Sequence, residues 1–87
     1  MKKEQQVVSK EEKISSFIET KNKGLVLEFY VNSNDIESLK TILNLHPEHV
    51  DTYNTEYFGE TPLFNATETD NYEISKFLLE NGANVDA

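Results

Sequence analysis

Eighty-seven residues make one small domain, and a chain of this size buries only about 60% of the surface its unfolded form exposes, so its core is thin. With no cysteine, disulfides, cysteine-held zinc and thiol chemistry are excluded. The net charge of −8 is unevenly spread: residues 1–23 carry six lysines against four glutamates, residues 24–87 two lysines against twelve acids, and no arginine occurs anywhere.

An acidic body repels phosphate backbones, and without arginine there is no planar fork for phosphate or guanine, so no nucleic-acid partner is expected. The same field suits a basic protein partner, or simply keeps the surface solvated. The N-terminus lacks the apolar core of a secretory signal, and no run approaches the roughly 20 apolar residues of a membrane span. No membrane partner and a cytoplasmic location are therefore expected.

In chain order, Ser9-Lys10-Glu11-Glu12 has the spacing of a capping box and starts a helix. Ile14, Phe17 and Ile18 form its narrow apolar stripe, and Asn22-Lys23-Gly24 offers a left-handed stop. Further on, Gly59-Glu60-Thr61-Pro62-Leu63-Phe64 reads as a turn glycine, an N-cap threonine and a first-turn proline, opening a short helix. Asp70-Asn71 caps another helix, with Ile74, Phe77 and Leu78 buried and Glu73, Lys76 and Glu80 in water; Asn81-Gly82 ends it.

These helices are too poor in apolar residues to close a core alone, and an internal repeat supplies the rest. Asn34-Asp35-Ile36-Glu37, followed by Lys40, Ile42 and Leu43, superposes after a 36-residue shift on Asp70-Asn71-Tyr72-Glu73, followed by Lys76, Leu78 and Leu79. The shift also places Leu27 on Leu63, and a shift of 35 places Val50-Asp51 on Val85-Asp86. One motif is used twice.

Residues 59–87 resemble the ankyrin repeat: Gly59, Thr61-Pro62-Leu63, Ala66, Glu73-Ile74, Lys76, Leu78-Leu79 and Gly82-Ala83 follow the family pattern G-x-T-P-L-x-x-A and E-I-V-K-x-L-L-x-x-G-A. The likeness is weaker over about 25–58 and absent over 1–23. Phe64 stands where the family usually carries histidine, and Asp70-Asn71 replaces its Gly-His, the asparagine being suited to the left-handed conformation. In the first repeat Leu25-Val26 replaces Thr-Pro, which suits a terminal repeat packed under a leading helix. The resemblance implies an all-α, ankyrin-type helix-turn-helix solenoid of about two repeats. Residues 1–23 form a leader and capping helix, 24–58 a degenerate first repeat with a long hairpin, and 59–87 a second repeat.

It also implies a non-catalytic protein-protein interaction module, binding through hairpin tips and the first helix of each repeat. The contact candidates are Tyr53, Thr55, Glu56, Tyr57 and Phe58 in the hairpin, with Glu60, Asn65, Glu68 and Thr69 at the family's variable positions. For Tyr53, Tyr57 and Phe58 the competing reading is packing between hairpins. The alternative function is an N-terminal structural cap of a longer array whose binding surface or catalytic domain lies elsewhere. The outer face of the second repeat, including parts of Leu63, Ile74 and Leu78, is then expected to meet further repeats or to self-associate. His46 and His49 flank Glu48 but lack further ligands at a convincing spacing, no phosphate-binding glycine motif occurs, and Asn65-Ala66-Thr67 is an accidental glycosylation match. No cofactor, metal or catalytic residue is expected.

Overall fold

The computed structural model describes residues 9–56 and 59–85. Helices run over α1 (Lys10–Glu19), α2 (Lys23–Asn32), α3 (Ile36–Leu45), α4 (Pro62–Glu68) and α5 (Tyr72–Glu80), with a 3₁₀ turn at Pro47–His49 and no strand among the described residues. This is the all-helical helix-turn-helix architecture expected.

Each start follows from a side chain that satisfies an otherwise orphaned amide. Ser9 and Glu12 form the complete capping box of α1. Asp35 caps α3 through the Ser38 amide, Asn71 caps α5 through Ile74, and Thr61 caps α4 through Phe64, with Pro62 in its first turn. The turns inside the two hairpins are copies of one another. Asn34 (φ 57°) and Asp70 (φ 55°) both adopt the left-handed conformation. In each, two amides return to the helix: Asn34 to Val31 and Asp35 to Tyr30, Asp70 to Thr67 and Asn71 to Ala66. Gly82 (φ 95°) closes α5 in the same way, with Ala83 donating to Leu78.

Two local expectations are corrected here. It is Asp70, not Asn71, that takes the left-handed conformation, because the next residue must be free to cap α5. Likewise Asn22-Lys23-Gly24 is not a left-handed stop: α1 ends in an extended Thr20, and Asn22 caps α2, its Oδ1 accepting from the Leu25 amide at 3.2 Å. Gly24 lies inside the first turn of α2, where a Cβ would sit 2.0 Å from the carbonyl carbon and oxygen of Tyr53 and 2.3 Å from the Asn54 amide nitrogen. That glycine is required by close approach of the hairpin backbone, not by φ.

The helices share one core. Phe17 of α1, Leu27 and Val31 of α2, Leu39, Ile42 and Leu43 of α3, Leu63 and Ala66 of α4, and Ile74 and Leu78 of α5 are all buried. α2 packs against α3 and α4, α4 against α5, and α1 against α3 and α2. Of the α1 stripe, Phe17 is buried and Ile14 half-buried, but Ile18 is 51% exposed: a single leading helix meets its hairpin on one side only. Lys13 Nζ donates to Ser38 Oγ at 2.7 Å, and that hydroxyl donates to Asp35 Oδ2 at 2.7 Å, tying α1 to the cap of α3. Phe17 meets His49 edge to face at 5.3 Å.

Leu63, Ile74 and Leu78, expected to border an uncovered face, are instead 7%, 0% and 0% exposed. Their side chains turn into the shared core. The apolar residues left uncovered on the second hairpin are Phe64, Tyr72, Leu79 and Val85.

Candidate functional site

The chain between α3 and α4 lies against α2, and polar side chains hold it there. Asn54 is fully buried; its amide donates to the Glu60 carbonyl at 3.0 Å, its Nδ2 to Glu28 Oε1, and its Oδ1 accepts from Asn22 Nδ2 (3.0 Å) and the Glu56 amide (2.9 Å). Asn22 Oδ1 also accepts from the Thr55 amide at 3.2 Å. The backbone of the hairpin is thus fixed by two asparagines. Tyr53, Thr55 and Glu56 are left with exposed side chains on a fixed scaffold, Tyr53 at 52% exposure with its ring beside Gly59 (φ 70°). Tyr57 and Phe58 lie outside the described residues.

On α4 the candidates divide. Glu68 is exposed. The exposed Thr69 spends its hydroxyl on the Asn65 and Ala66 carbonyls at the helix end. Asn65 is only 6% exposed; its Nδ2 donates to Glu60 Oε1 at 3.0 Å, and its Oδ1 has no hydrogen-bond partner. Glu60 is half-buried, held by this bond and by the contact of its carbonyl with Asn54.

Residues outside the contact candidates join this layer. Leu25 and Phe29, one turn apart on α2, are 39% and 64% exposed, and Phe64 on α4 is 44% exposed. Under the 36-residue shift Phe29 occupies the position of Asn65. An apolar pair at i, i+4 ordinarily signals a buried face, so only the repeat register, which aligns Phe29 with a variable position, distinguishes it. Charge is layered too. From Gly24 through α2, the hairpin and α4 the acids are Glu28, Asp51, Glu56, Glu60 and Glu68, apart from the cap Asp35 and those on α3 and its following turn. Lys23, at the start of α2, directs its ammonium to the Ile18 and Thr20 carbonyls that end α1. The other described lysines, Lys10, Lys13, Lys21, Lys40 and Lys76, stand on α1, its link to α2, α3 and α5.

The two hairpins are also stitched to each other. Asn71 Nδ2 donates to Asn34 Oδ1 at 2.8 Å, and the Asn84 amide meets Asp51 Oδ1 and Oδ2 at 3.2 and 3.1 Å. Phe64, which stands where the family usually carries histidine, contributes an exposed ring. Glu48 accepts from its own amide and lies 3.3 Å from His46 Nδ1 and 3.9 Å from His49 Nε2, which holds its carboxyl below the ordinary value. Among the described residues no group of three or more His, Cys, Asp or Glu is arranged to hold a metal, and no helix is long and apolar enough to cross a membrane.

The arrangement is a stack of helical hairpins joined by a pinned loop. Residues 58–87 match the ankyrin repeat family model, which places the second hairpin in that class of repeat. The match does not extend over the first hairpin. Comparison with curated proteins and with solved structures finds no match. Ankyrin repeats are in general protein-protein interaction modules and typically non-catalytic.

Proposed function

We propose that the chain is a non-catalytic protein-binding module whose contact surface is the α2–α4 layer with its hairpin. The observation that carries this reading is the exposure of Tyr53, Leu25 and Phe29 on backbone held by the Asn22–Asn54 network, with Phe64 exposed on α4, which packs against α2. Exposed aromatics on a rigid base give large contact area at small entropic cost on binding. Thr55, Glu56, Glu60 and Glu68 belong to the same surface, with acidic character suited to a basic partner. Its test is quantitative affinity capture with the unaltered chain and a Phe29→Ser/Tyr53→Ser variant. Partners should be lost from the variant while its melting temperature falls by less than about 4 °C, since both side chains are exposed. Equal capture by both refutes this contact surface.

A second reading, a stacking role, is favoured by one groove. Phe64, Thr67, Ser75, Leu79 and Val85 line a depression of about 220 Å³ on the second hairpin. At the positions of the first hairpin equivalent to Thr67, Ser75, Leu79 and Val85, Val31, Leu39, Leu43 and Val50 are buried. In this reading the groove receives another helical hairpin, from further repeats or from a second copy. Light scattering on the chain and on Leu79→Glu tests the second-copy form: an oligomer that the substitution dissociates supports it, and a strict monomer at high concentration refutes it.

A further inference from the structure

We propose that Glu60 and Asn65 form the anchoring subsite for an arginine side chain of the partner. This rests on the α2–α4 layer being the contact surface and names the chemistry it selects. Asn65 is 94% buried, counting from its 6% exposure, and its Nδ2 is committed to Glu60 Oε1 at 3.0 Å, so the carboxylate is held against the helix and does not sample solvent freely. The amide orientation is fixed by that bond, because exchanging its oxygen and nitrogen would set Oδ1 against the Glu60 oxygen. Oδ1 then has no donor in the structure.

The subsite therefore consists of acceptors in excess: a carboxylate with one oxygen engaged by Asn65, and an amide oxygen left without a hydrogen bond. A buried acceptor without a donor is costly, and a ligand that brings donors recovers that cost on binding. A guanidinium carries several N–H groups in a rigid planar fork and reaches two neighbouring acceptors at once, where an ammonium acts as a compact point charge. The subsite requires the Glu60 side chain to rotate so that the fork reaches the Asn65 oxygen, which is buried in the unbound chain.

The surroundings fit the same ligand. The other charged residues of this layer include the acids Glu28 on α2, Glu56 in the hairpin and Glu68 on α4, and the one lysine of α2 is committed to the end of α1. One repeat earlier, the position of Asn65 holds the exposed ring of Phe29, and Phe64 adjoins Asn65 in sequence. Exposed aromatic rings accept guanidinium planes and the apolar residues beside them. A partner segment with alternating arginine and apolar side chains satisfies both the acceptors and the rings.

The test is a two-dimensional NMR titration of the whole chain with a short capped peptide of alternating arginine and leucine, with lysine and glutamate versions as comparisons. The expected result is a change at the Asn65 side-chain amide and the Glu60 backbone amide. Affinity should fall about tenfold in Glu60→Gln, which keeps the side chain's shape and removes its charge. Asn65→Leu, which fills the same space without the acceptor, should weaken binding also. Two results overturn the subsite and leave the contact surface standing: changes at Phe29, Tyr53 and Phe64 with Glu60→Gln binding as tightly as the unaltered chain, or a lysine peptide binding as well as the arginine peptide. If no peptide perturbs the α2–α4 layer, the subsite and the contact surface both fail.

Discussion

The two hairpins share a backbone plan but have different neighbours, and position-by-position comparison separates what the local sequence dictates from what packing dictates. Inside the hairpins the turn residues and caps correspond: Asn34 with Asp70, Asp35 with Asn71, and Ser33 with Thr69, whose hydroxyls donate to the carbonyls of Phe29 and Asn65. The packed faces do not correspond. Ser38, bonded to Lys13 of α1, stands where the second hairpin buries Ile74. Leu39 and Leu43 are fully buried, whereas Ser75 and the 46%-exposed Leu79 occupy their places in the second hairpin. Local signals thus repeat with the backbone, while each face adapts to the element laid against it.

The sharpest break in the comparison lies at the start of the hairpins. Gly24 corresponds to Glu60, yet at Gly24 the Tyr53–Asn54 peptide lies where a Cβ would stand, whereas Glu60 carries a full side chain. Gly24→Ala should destabilise the fold by about 3 kcal/mol, at the upper end of overpacking costs, because the obstacle is backbone and cannot rotate away. Glu60→Ala should cost less than about 1 kcal/mol. Urea denaturation followed by circular dichroism measures both. Similar losses at the two sites would mean that the hairpin does not press on α2.

Leu43 and Leu79 give the next contrast. Leu43→Ala opens a cavity in the shared core and should cost about 3 kcal/mol, whereas Leu79→Ala, at a half-open site, should cost under about 1 kcal/mol. If Leu79→Ala proved as damaging as Leu43→Ala, its face would be covered in solution. That outcome would favour the stacking role for the second hairpin.

These contrasts show what was legible in the residues and why. The capping box of Ser9 and Glu12, the Thr61-Pro62 start and the Gly82 stop depend on atoms within a few residues of one another, so their spacing suffices to find them. Gly24 fails that test, and so does the second role of Asn22: the Tyr53 backbone and Asn54 that they meet are some thirty residues away in the chain. Ile18 looked like core because periodicity names a face without saying how wide its cover is. The contact candidates behave similarly. Tyr53 and Glu68 are exposed, but Asn65 is buried and bonded to Glu60, and Phe29 is exposed where its apolar character suggested burial.

The smallest contrast is electrostatic and concerns the two caps of the outer helices. Burial opposes ionisation of Asp35, but the hydroxyl and amide of Ser38 bond to its carboxylate and Lys13 adds a positive charge nearby, so its pKa lies below the ordinary 3.8. The same carboxylate, after burial itself, helps raise the pKa of Tyr30. A depressed carboxylate contributes stability that is complete above its unfolded value and is lost as pH falls through the folded one. The cap of α3 should therefore weaken on acidification below about pH 4, and the Lys13–Ser38–Asp35 connection to α1 with it. Asn71, the equivalent cap of α5, carries no ionisable group and should hold through the same range. Asp35→Asn makes the two caps alike: it should lower stability slightly at neutral pH and flatten the acid limb of the pH profile. Amide exchange followed across pH 5 to 2 distinguishes the hairpins, with α1 and α3 expected to lose protection before α5. Simultaneous loss in all three, unchanged by Asp35→Asn, would place the acid sensitivity outside this cap, with Glu48 in the following turn the next group to replace.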